Sequence, residues 1–423
     1  MAKLKYSPIN LGRWIVWGGT ALVMIVLPLI FTEGFTLTLM SQIGIGVIFA
    51  LSYNMLLGQG GMLSFGHAVY SGLGAYFTVH ALNLVGKGSF YFPVTLLPLI
   101  GGLAGIAFGV IFGYVTTKKS GTTFAMISLG IGEMVFACSL MFPDFFGGEG
   151  GVTTNRVIGE PFLGITYGPS IQVYYLIVAW ALACMGAMFA WTQTPLGRMA
   201  NAVRDNPERA EFVGYDTHTV RFLTLVISGF FAGIAGGLNC ISYEIVTAEN
   251  VGAVRSGGVL LATFIGGAGF FFGPIIGSIV FFIMVIAVGA MTKAWLFYLG
   301  ILFLIMVLYA PGGFASLIVM HLPVIKARLM KRLWLPYAAA LVTALVLLAG
   351  LVSVVEMTYH LSLEAGTNPL MTLFGFEFNV TKALPWAGAL GLLAGGFIIS
   401  RFAWSAVGRA WADIIHVLQK KSA

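Results

Sequence analysis

Long apolar segments alternate with short polar stretches along this chain. Twelve segments of about 17 to 25 residues are apolar enough to cross roughly 30 Å of hydrocarbon as helices. They are Trp14–Phe31, Leu37–Leu57, Met62–Leu82, Phe92–Thr116, Phe124–Phe142, Ile171–Trp191, Arg221–Ser242, Ser256–Phe272, Pro274–Met291, Trp295–Ala310, Leu335–Val355 and Pro385–Phe402. The pattern predicts an all-α polytopic membrane protein with about 10 to 12 transmembrane helices.

Two glycine-rich hinges interrupt this pattern. Gly58–Gly61 follows the second apolar segment, and Gly266–Pro274 lies where the eighth segment meets the ninth. Each hinge predicts either a tight turn or a break in a discontinuous helix that lines a cavity. The sequence leaves both alternatives open.

One polar stretch, Trp191–Gly214, is dense in charges of both signs and must lie in water. Asp205 or Asn206 can cap a helix here, and proline suits the first helical position. We therefore predict a short helix over Pro207–Val213, with Ala210 at its middle and the final glycine as its stop. Such a helix can dock onto a partner protein, and the alternative is a solvated loop.

Composition supports a membrane protein. Of the 423 residues, 59% are hydrophobic and 9% are charged, against roughly 45 to 50% and 25% in soluble domains. The 56 glycines favour closely packed helices. The three cysteines, Cys138, Cys184 and Cys240, all lie in apolar segments, so we expect neither a disulfide framework nor a metal site.

The distribution of basic residues indicates the orientation. With a cytoplasmic N-terminus, 17 of the 22 lysines and arginines fall on the inner side. They are Lys3, Lys5, Arg13, Lys118, Lys119, Arg198, Arg204, Arg209, Arg221, Lys326, Arg328, Lys331, Arg332, Arg401, Arg409, Lys420 and Lys421. By the positive-inside rule both termini are cytoplasmic. The net charge of +7 therefore needs no nucleic-acid partner.

Polar residues in or beside the apolar segments are candidates for a translocation path. Glu133 is the one acid inside a segment, where a charge costs at least about 2.5 kcal/mol at the bilayer centre. The other candidates lie in or after the first hinge: Gln59, Ser64, His67 and Ser71. The alternatives are a packing face of small residues for the serines and structural hydrogen bonds for His67 and Glu133. So few ionisable groups disfavour an ion-coupled carrier.

Motifs for nucleotide binding and catalysis are missing from the sequence. The lysine within Val85–Ser89 lacks the frame of a phosphate-binding loop, and neither G-x-S-x-G nor H-E-x-x-H occurs. An intramembrane enzyme is therefore disfavoured. If transport uses ATP, another chain must hydrolyse it.

Three motifs carry a resemblance to a known family. Gly58–Tyr76 reads GQGGMLSFGHAVYSGLGAY, Gly197–Asn206 reads GRMANAVRDN and runs into AEFVG at Ala210–Gly214, and Gly266–Pro274 reads GGAGFFFGP. In order and spacing these motifs resemble the membrane permeases of branched-chain amino acid ABC importers, the LivH/LivM family. The second motif is closer to the LivM branch. The resemblance extends over about Leu37–Gly313.

The resemblance implies a permease subunit of a bacterial or archaeal cytoplasmic membrane. Its partners would be a second, similar permease, two ATP-binding-cassette ATPases that bind ATP and Mg, and an outside substrate-binding protein. The implied substrates are branched-chain or other hydrophobic amino acids, and the alternatives are urea, short amides or aromatic amino acids. The residues implied to couple to an ATPase are Arg198, Arg204, Asp205, Asn206, Glu208, Arg209, Ala210, Glu211 and Gly214.

The chain continues beyond the resemblance. We predict a permease core over residues 1–320 and an extension over residues 321–423 with two further membrane helices. The LFGFEF run at Leu373–Phe378 predicts a small hairpin. In the tail, one helix face gathers Trp404, Val407, Trp411, Ile414, Ile415 and Leu418. This face predicts a basic amphipathic helix on lipid at the inner surface, and the alternative is a docking helix for a soluble partner.

Overall fold

The fold is almost entirely helical, which confirms the predicted all-α class. This computed structural model describes residues 11–89, 91–157, 164–363 and 369–422, so Lys3 and Lys5 of the charge argument lie outside the described residues. The helices are α1 (Leu11–Ile30), α2 (Gly34–Asn54), α3 (Ala68–Gly86), α4 (Leu97–Thr116), α5 (Gly121–Met141), α6 (Pro143–Phe146), α7 (Ser170–Gln193), α8 (Pro195–Asp205), α9 (Pro207–Phe212), α10 (Thr217–Tyr243), α11 (Ala253–Gly266), α12 (Gly273–Phe282), α13 (Gly289–Met291), α14 (Trp295–Tyr309), α15 (Gly313–Lys326), α16 (Lys331–Leu363) and α17 (Ala383–Ser422). The strands form two antiparallel pairs, β1 (Val152–Thr153) with β2 (Ile245–Val246) and β3 (Leu370–Leu373) with β4 (Phe376–Asn379).

Eight of the described helical segments are long and apolar enough to cross a membrane. They are Gly34–Gln59, Val94–Thr116, Gly121–Met141, Ser170–Gln193, Thr217–Tyr243, Gly273–Met291, Lys331–Leu363 and Ala383–Lys420. A ninth is added if α14 and α15, bent by 46° at their junction, form one span. The apolar helices Ile15–Ile30 and α11 are shorter. The protein is therefore a multi-span membrane protein, while the number of twelve spans stays a prediction.

The chain divides into two compact units. The first unit contains the described residues of Met1–Ala287 together with Leu302–Ala315, and the second contains Val288–Ile301 together with the described residues of Ser316–Ala423. The predicted division at residue 320 stays a prediction, and the grouping differs from it because Val288–Ile301 belongs with the later residues.

The centre of the first unit is α10, the most deeply buried of the candidate spans in the described residues. Glycines allow α3 and α4 to approach it closely. A methyl group added at Gly233 of α10 would collide with the Gly101 carbonyl of α4, and one added at Gly74 of α3 would lie 2.6 Å from the Gly233 Cα. Backbone-to-backbone packing of this kind explains why small residues recur in these helices.

The first hinge is a break between helices. After α2 the chain forms a π-helical turn over Met55–Gln59, and residues 61–67 are not helical before α3 begins at Ala68. The predicted helix from Met62 is therefore wrong at its start. Two distant serines support the backbone of this non-helical segment and of the start of α3: the Ser128 Oγ accepts the Phe65 N–H at 3.0 Å, and the Ser256 Oγ accepts the Ala68 N–H at 2.9 Å. These bonds satisfy irregular backbone that lipid could not.

The second hinge is a turn. It joins α11 to α12, which pack directly against each other. A side chain at Gly266 would collide with the Gly273 carbonyl, and one at Gly277 would collide with the Ala262 carbonyl. Gly267 has a φ of 106°, a conformation that favours glycine.

In the second unit α16 and α17 pack together, and β3 and β4 form the predicted hairpin. Phe374 and Gly375 make its turn with φ values of 52° and 82°, the positive values that a two-residue hairpin turn of type I′ requires. The hairpin prediction is therefore confirmed.

The tail differs from the prediction because it is not a separate helix. It continues the final span without interruption in the 40-residue helix α17. Ile414 is fully buried with Val324 of α15 and Leu333 of α16, and Trp411 packs against the same cluster. Much of the apolar face is thus covered by this chain, while Trp404, 59% exposed, is one of its uncovered members. A role of the tail at the inner membrane surface stays a prediction.

Candidate functional site

The polar stretch folds into two short helices, α8 and α9, which we call the α8–α9 hairpin. The Asn206 Oδ1 accepts the backbone N–H of Arg209 at 2.9 Å, so Asn206 caps α9, whereas Asp205 ends α8. Gly214 has a φ of 93° and follows the end of the helix. The predicted short helix is therefore confirmed, and it ends at Phe212, one residue earlier than predicted.

Helix α8 was not predicted from the sequence. Its N-cap is Thr194, whose Oγ1 accepts the Gly197 N–H at 3.2 Å, and Pro195 occupies the first helical position. This Thr-Pro pair was a usable signal, because both residues are favoured at those positions. Gly197, Ala200 and Val203 form the buried face that fixes α8 to the bundle.

Ala210 faces the interior of this chain. It is 5% exposed and belongs to the same buried cluster as Val203 and Val220. The outer face of α9 is therefore more accessible to a partner than Ala210, and a contact of Ala210 with an ATPase stays a prediction.

That outer face combines charges with an apolar tip. Phe212 and Val213 are 91% and 69% exposed at the end of α9. Exposed charged residues surround this tip on the hairpin surface: Arg198, Asp205, Glu208, Arg209 and Glu211. An exposed apolar tip with a charged rim is typical of a protein-docking surface.

The hairpin is tied to the start of α10. The Thr217 hydroxyl donates to the Glu211 Oε1 at 2.8 Å. Asp216 caps α10 by accepting the N–H groups of His218 and Thr219 at 3.1 and 3.2 Å. The Thr219 hydroxyl also donates to this carboxylate, and this hydrogen bond lowers the pKa of Asp216. Hydrogen bonds therefore connect α9 directly to the start of α10.

On its other side the hairpin holds the first hinge. The Asn201 Nδ2 donates to the Gln59 Oε1 at 2.7 Å, and the Arg204 guanidinium donates to the Gly58 carbonyl. The aliphatic part of Arg204 lies against Gly61, where an added Cβ would be 2.6 Å from the Arg204 Cγ. Gln59 was predicted to border a translocation path, and here its side chain is bonded to the hairpin.

The first hinge in turn touches the second. A side chain at Gly58 would collide with the Ala268 carbonyl, and one at Gly267 would collide with the Gly312 carbonyl. The three sequence motifs, which lie far apart in the chain, therefore meet at one place in the first unit. Only glycine leaves room for these contacts between backbones.

Ser64, His67 and Ser71 are enclosed in this structure. The His67 Nε2 lies 3.0 Å from the Ser52 Oγ, and the His67 ring stacks on Phe49 with 5.4 Å between ring centroids. Because the Ser52 hydroxyl donates to the Phe49 carbonyl at 2.7 Å, His67 is the donor to Ser52. A role of these three buried residues in translocation stays a prediction.

Glu133 lies on the exposed face of α5, one of the candidate spans. Within the described residues it has no hydrogen-bond or ion-pair partner in this chain. Gly132, the buried residue just before Glu133, packs against Gly66 of the non-helical segment. An ionised carboxylate near the middle of a span costs at least about 2.5 kcal/mol against lipid tails, which favours protein or water beside this face.

The chain is a multi-span helical membrane protein, and its charged hairpin contacts the first glycine-rich hinge. This is the organisation of a transporter's membrane subunit. Residues 35–310 match the family described as branched-chain amino acid transport system / permease component. The chain belongs to this family, and it is an ABC permease subunit, not an enzyme.

The relatives agree with this placement. The high-affinity branched-chain amino acid transport system permease protein LivM of Escherichia coli is 26% identical over 288 residues, which cover 63% of this chain and 67% of LivM. The galactose/methyl galactoside import permease protein MglC of Salmonella typhimurium is 25% identical over 302 residues, 63% of this chain and 85% of MglC. BraD of Pseudomonas aeruginosa, a high-affinity branched-chain amino acid transport system permease protein, is 22% identical over 242 residues, 55% of this chain and 78% of BraD. No solved structure is significantly similar to the chain.

Proposed function

We propose that this chain forms half of the membrane path of an ATP-driven importer for branched-chain or other hydrophobic amino acids. In this proposal the α8–α9 hairpin sits on an ATPase subunit, which binds ATP and Mg. The observation that supports it most directly is the position of the hairpin: its exposed tip at Phe212 is available to a partner, while its inner side holds Gly58 and Gln59 of the first hinge.

The substrate proposal rests on the names of the relatives. LivM and BraD are described as branched-chain amino acid permeases. MglC, which is similar over as large a share of this chain, is described as a galactose import permease, so likeness across this region does not select the cargo. Urea, short amides and aromatic amino acids are the alternatives. An outside substrate-binding protein would make most of the selection.

Glu133 supports a second permease subunit as a partner. Its exposed carboxylate on a candidate span needs a neighbour other than lipid, and within the described residues this chain supplies none. A second permease that encloses a water-filled path with α5 provides both protein and water at this face. Whether that partner is a copy of this chain or a similar protein decides if the assembly is a homodimer or a heterodimer.

The proposed location is a bacterial or archaeal cytoplasmic membrane, with the hairpin and both termini in the cytoplasm. The excess of basic residues on that side supports this orientation. A single cysteine in place of Glu208, in a chain without Cys138, Cys184 and Cys240, should then resist an impermeant thiol reagent applied to intact cells. Reaction from outside would reverse the orientation.

Reconstitution tests the function. The chain is co-expressed with a second permease, ATPases and a binding protein of the same family of importers, and the purified complex is placed in proteoliposomes. We expect uptake of leucine, isoleucine or valine that requires ATP on the hairpin side and binding protein on the other. Uptake driven by an ion gradient without the ATPases would refute the proposal, and ATP-driven uptake of another cargo class would replace only the substrate.

A further inference from the structure

Side chains of α8 contact the first hinge at three points. Asn201 and Arg204 lie one turn apart on α8 and reach consecutive residues of the hinge, the Gln59 side chain and the Gly58 carbonyl. The stem of Arg204 closes over Gly61. We call this set of three contacts the hinge clamp.

The clamp lies on irregular backbone. The turn at Met55–Gln59 is π-helical, a form common where function interrupts an α-helix. Gly61 has a φ of 64°, and residues 61–67 are not helical; the Gly61 and Met62 N–H groups donate back to Leu57 and Leu56 of the turn. The turn is therefore joined directly to the non-helical segment, with no helix between them.

The segment leads from the clamp to α5. Its Phe65 N–H donates to Ser128 of α5 at 3.0 Å, and Gly66 packs against the Ser128 carbonyl and Gly132. Glu133 is the next residue of α5, on its exposed face. Direct contacts thus connect α8, the turn, the segment and the helix that carries Glu133.

We propose that Asn201 and Arg204 are positioning residues that transmit the displacement of the α8–α9 hairpin, through the Gly58–Gly61 turn and the non-helical segment, to α5. The inference rests on the proposed function, because it requires an ATPase to move the hairpin. It assigns the coupling to two side chains on the inner side of the hairpin, which need not touch the ATPase.

The test measures substrate transported per ATP hydrolysed by the complete reconstituted transporter. Removing one neutral hydrogen bond, in Asn201→Ala or Gln59→Ala, should lower this ratio by about three- to tenfold. The double variant should fall no further than the lower single variant, because both remove the same bond. The swap Gln59→Asn with Asn201→Gln keeps the combined length of the two side chains and should recover most of the ratio.

Arg204→Ala should lower the ratio by about tenfold or more, since it removes a charge-assisted hydrogen bond and the stem over Gly61. Arg204→Lys, which keeps the stem and one donor, should recover part of it. Lys119→Ala is the matched control: it removes an exposed positive charge on the same predicted side and should leave the ratio unchanged. Basal ATP hydrolysis and thermal stability are measured for every variant, and the ratio is compared between variants that match the parent in both.

Three results would overturn the clamp. The first is a parental ratio in Asn201→Ala and Arg204→Ala, and the second is a Gln59→Ala, Asn201→Ala double variant whose loss equals the product of the two single losses. A loss of ratio that only follows a loss of thermal stability would assign the contacts to folding and also reject the proposal. If the parent complex itself does not transport with ATP, the proposed function has failed instead.

Discussion

Two nearby residues of α9 differ sharply in their exposure to solvent. Ala210 is 5% exposed and Phe212 is 91% exposed, although only two positions separate them. The sequence predicted the helix because caps and stops are local signals. It did not predict the direction that Ala210 faces, because that depends on packing in a buried cluster to which Val203 of α8 and Val220 of α10 also belong.

This difference predicts two phenotypes within one short helix. Phe212→Ala should leave the thermal stability of the purified chain unchanged and weaken its association with the ATPase by more than about 1 kcal/mol, as expected for an apolar anchor. Ala210→Trp should instead lower the stability by about 1 to 3 kcal/mol, because it overfills a packed site inside the chain. Thermal unfolding and ATPase co-purification distinguish them. An Ala210→Trp variant of parental stability that loses only ATPase binding would place Ala210 at the docking surface.

At the scale of elements, the sequence predicted those features that depend on residues close together in the chain. The β3–β4 hairpin followed from the glycine at its turn, and α9 followed from its cap and its proline. The non-helical segment 61–67 did not follow from the sequence, because its small residues also fit a helix face. Its support comes from Ser128 and Ser256, which no pattern within the segment reveals.

The close approach of this segment to α5 gives a prediction with an internal control. A methyl group at Gly66 would collide with the Ser128 carbonyl, whereas one at Gly130 of α5 meets nothing within 4 Å. Gly66→Ala should therefore destabilise the purified chain by about 1 to 3 kcal/mol, and Gly130→Ala should not. Thermal unfolding in detergent measures both. Equal stability of the two variants would contradict the packing described for the segment.

At the scale of the whole molecule, the sequence indicated that the three motifs are functionally important, but it did not indicate that they are neighbours in the fold. Each is a run of glycines or charges whose partners lie far along the chain, and Gly58, Ala268 and Arg204 become neighbours only in the folded unit. The division of the chain shows the same limit. The motifs end before Pro311, which suggested a simple extension after the core, whereas Val288–Ile301 groups with the residues that follow 315.

Hydrogen bonds within the second unit explain that grouping and set its consequence. The hydroxyls of Thr292 and Tyr298 donate to the Glu356 Oε1 at 2.6 and 2.7 Å. A chain that ends at Ala315 keeps both donors and loses their acceptor, so these groups are left without their partner at a cost of roughly 1 to 3 kcal/mol if they stay buried. The extension is therefore expected to stabilise the chain that precedes it.

We expect the truncated chain to insert into the membrane but to unfold at a lower temperature than the full chain. Glu356→Ala in the full chain should reproduce part of that loss, since it removes the same acceptor and leaves every helix in place. Glu356→Gln, which keeps an acceptor oxygen, should be closer to the parent. Thermal unfolding of the four proteins in one detergent orders them as parent, Glu356→Gln, Glu356→Ala and truncation. A truncated chain as stable as the parent would mean that residues 316–423 are a separable addition, as the motifs alone suggest.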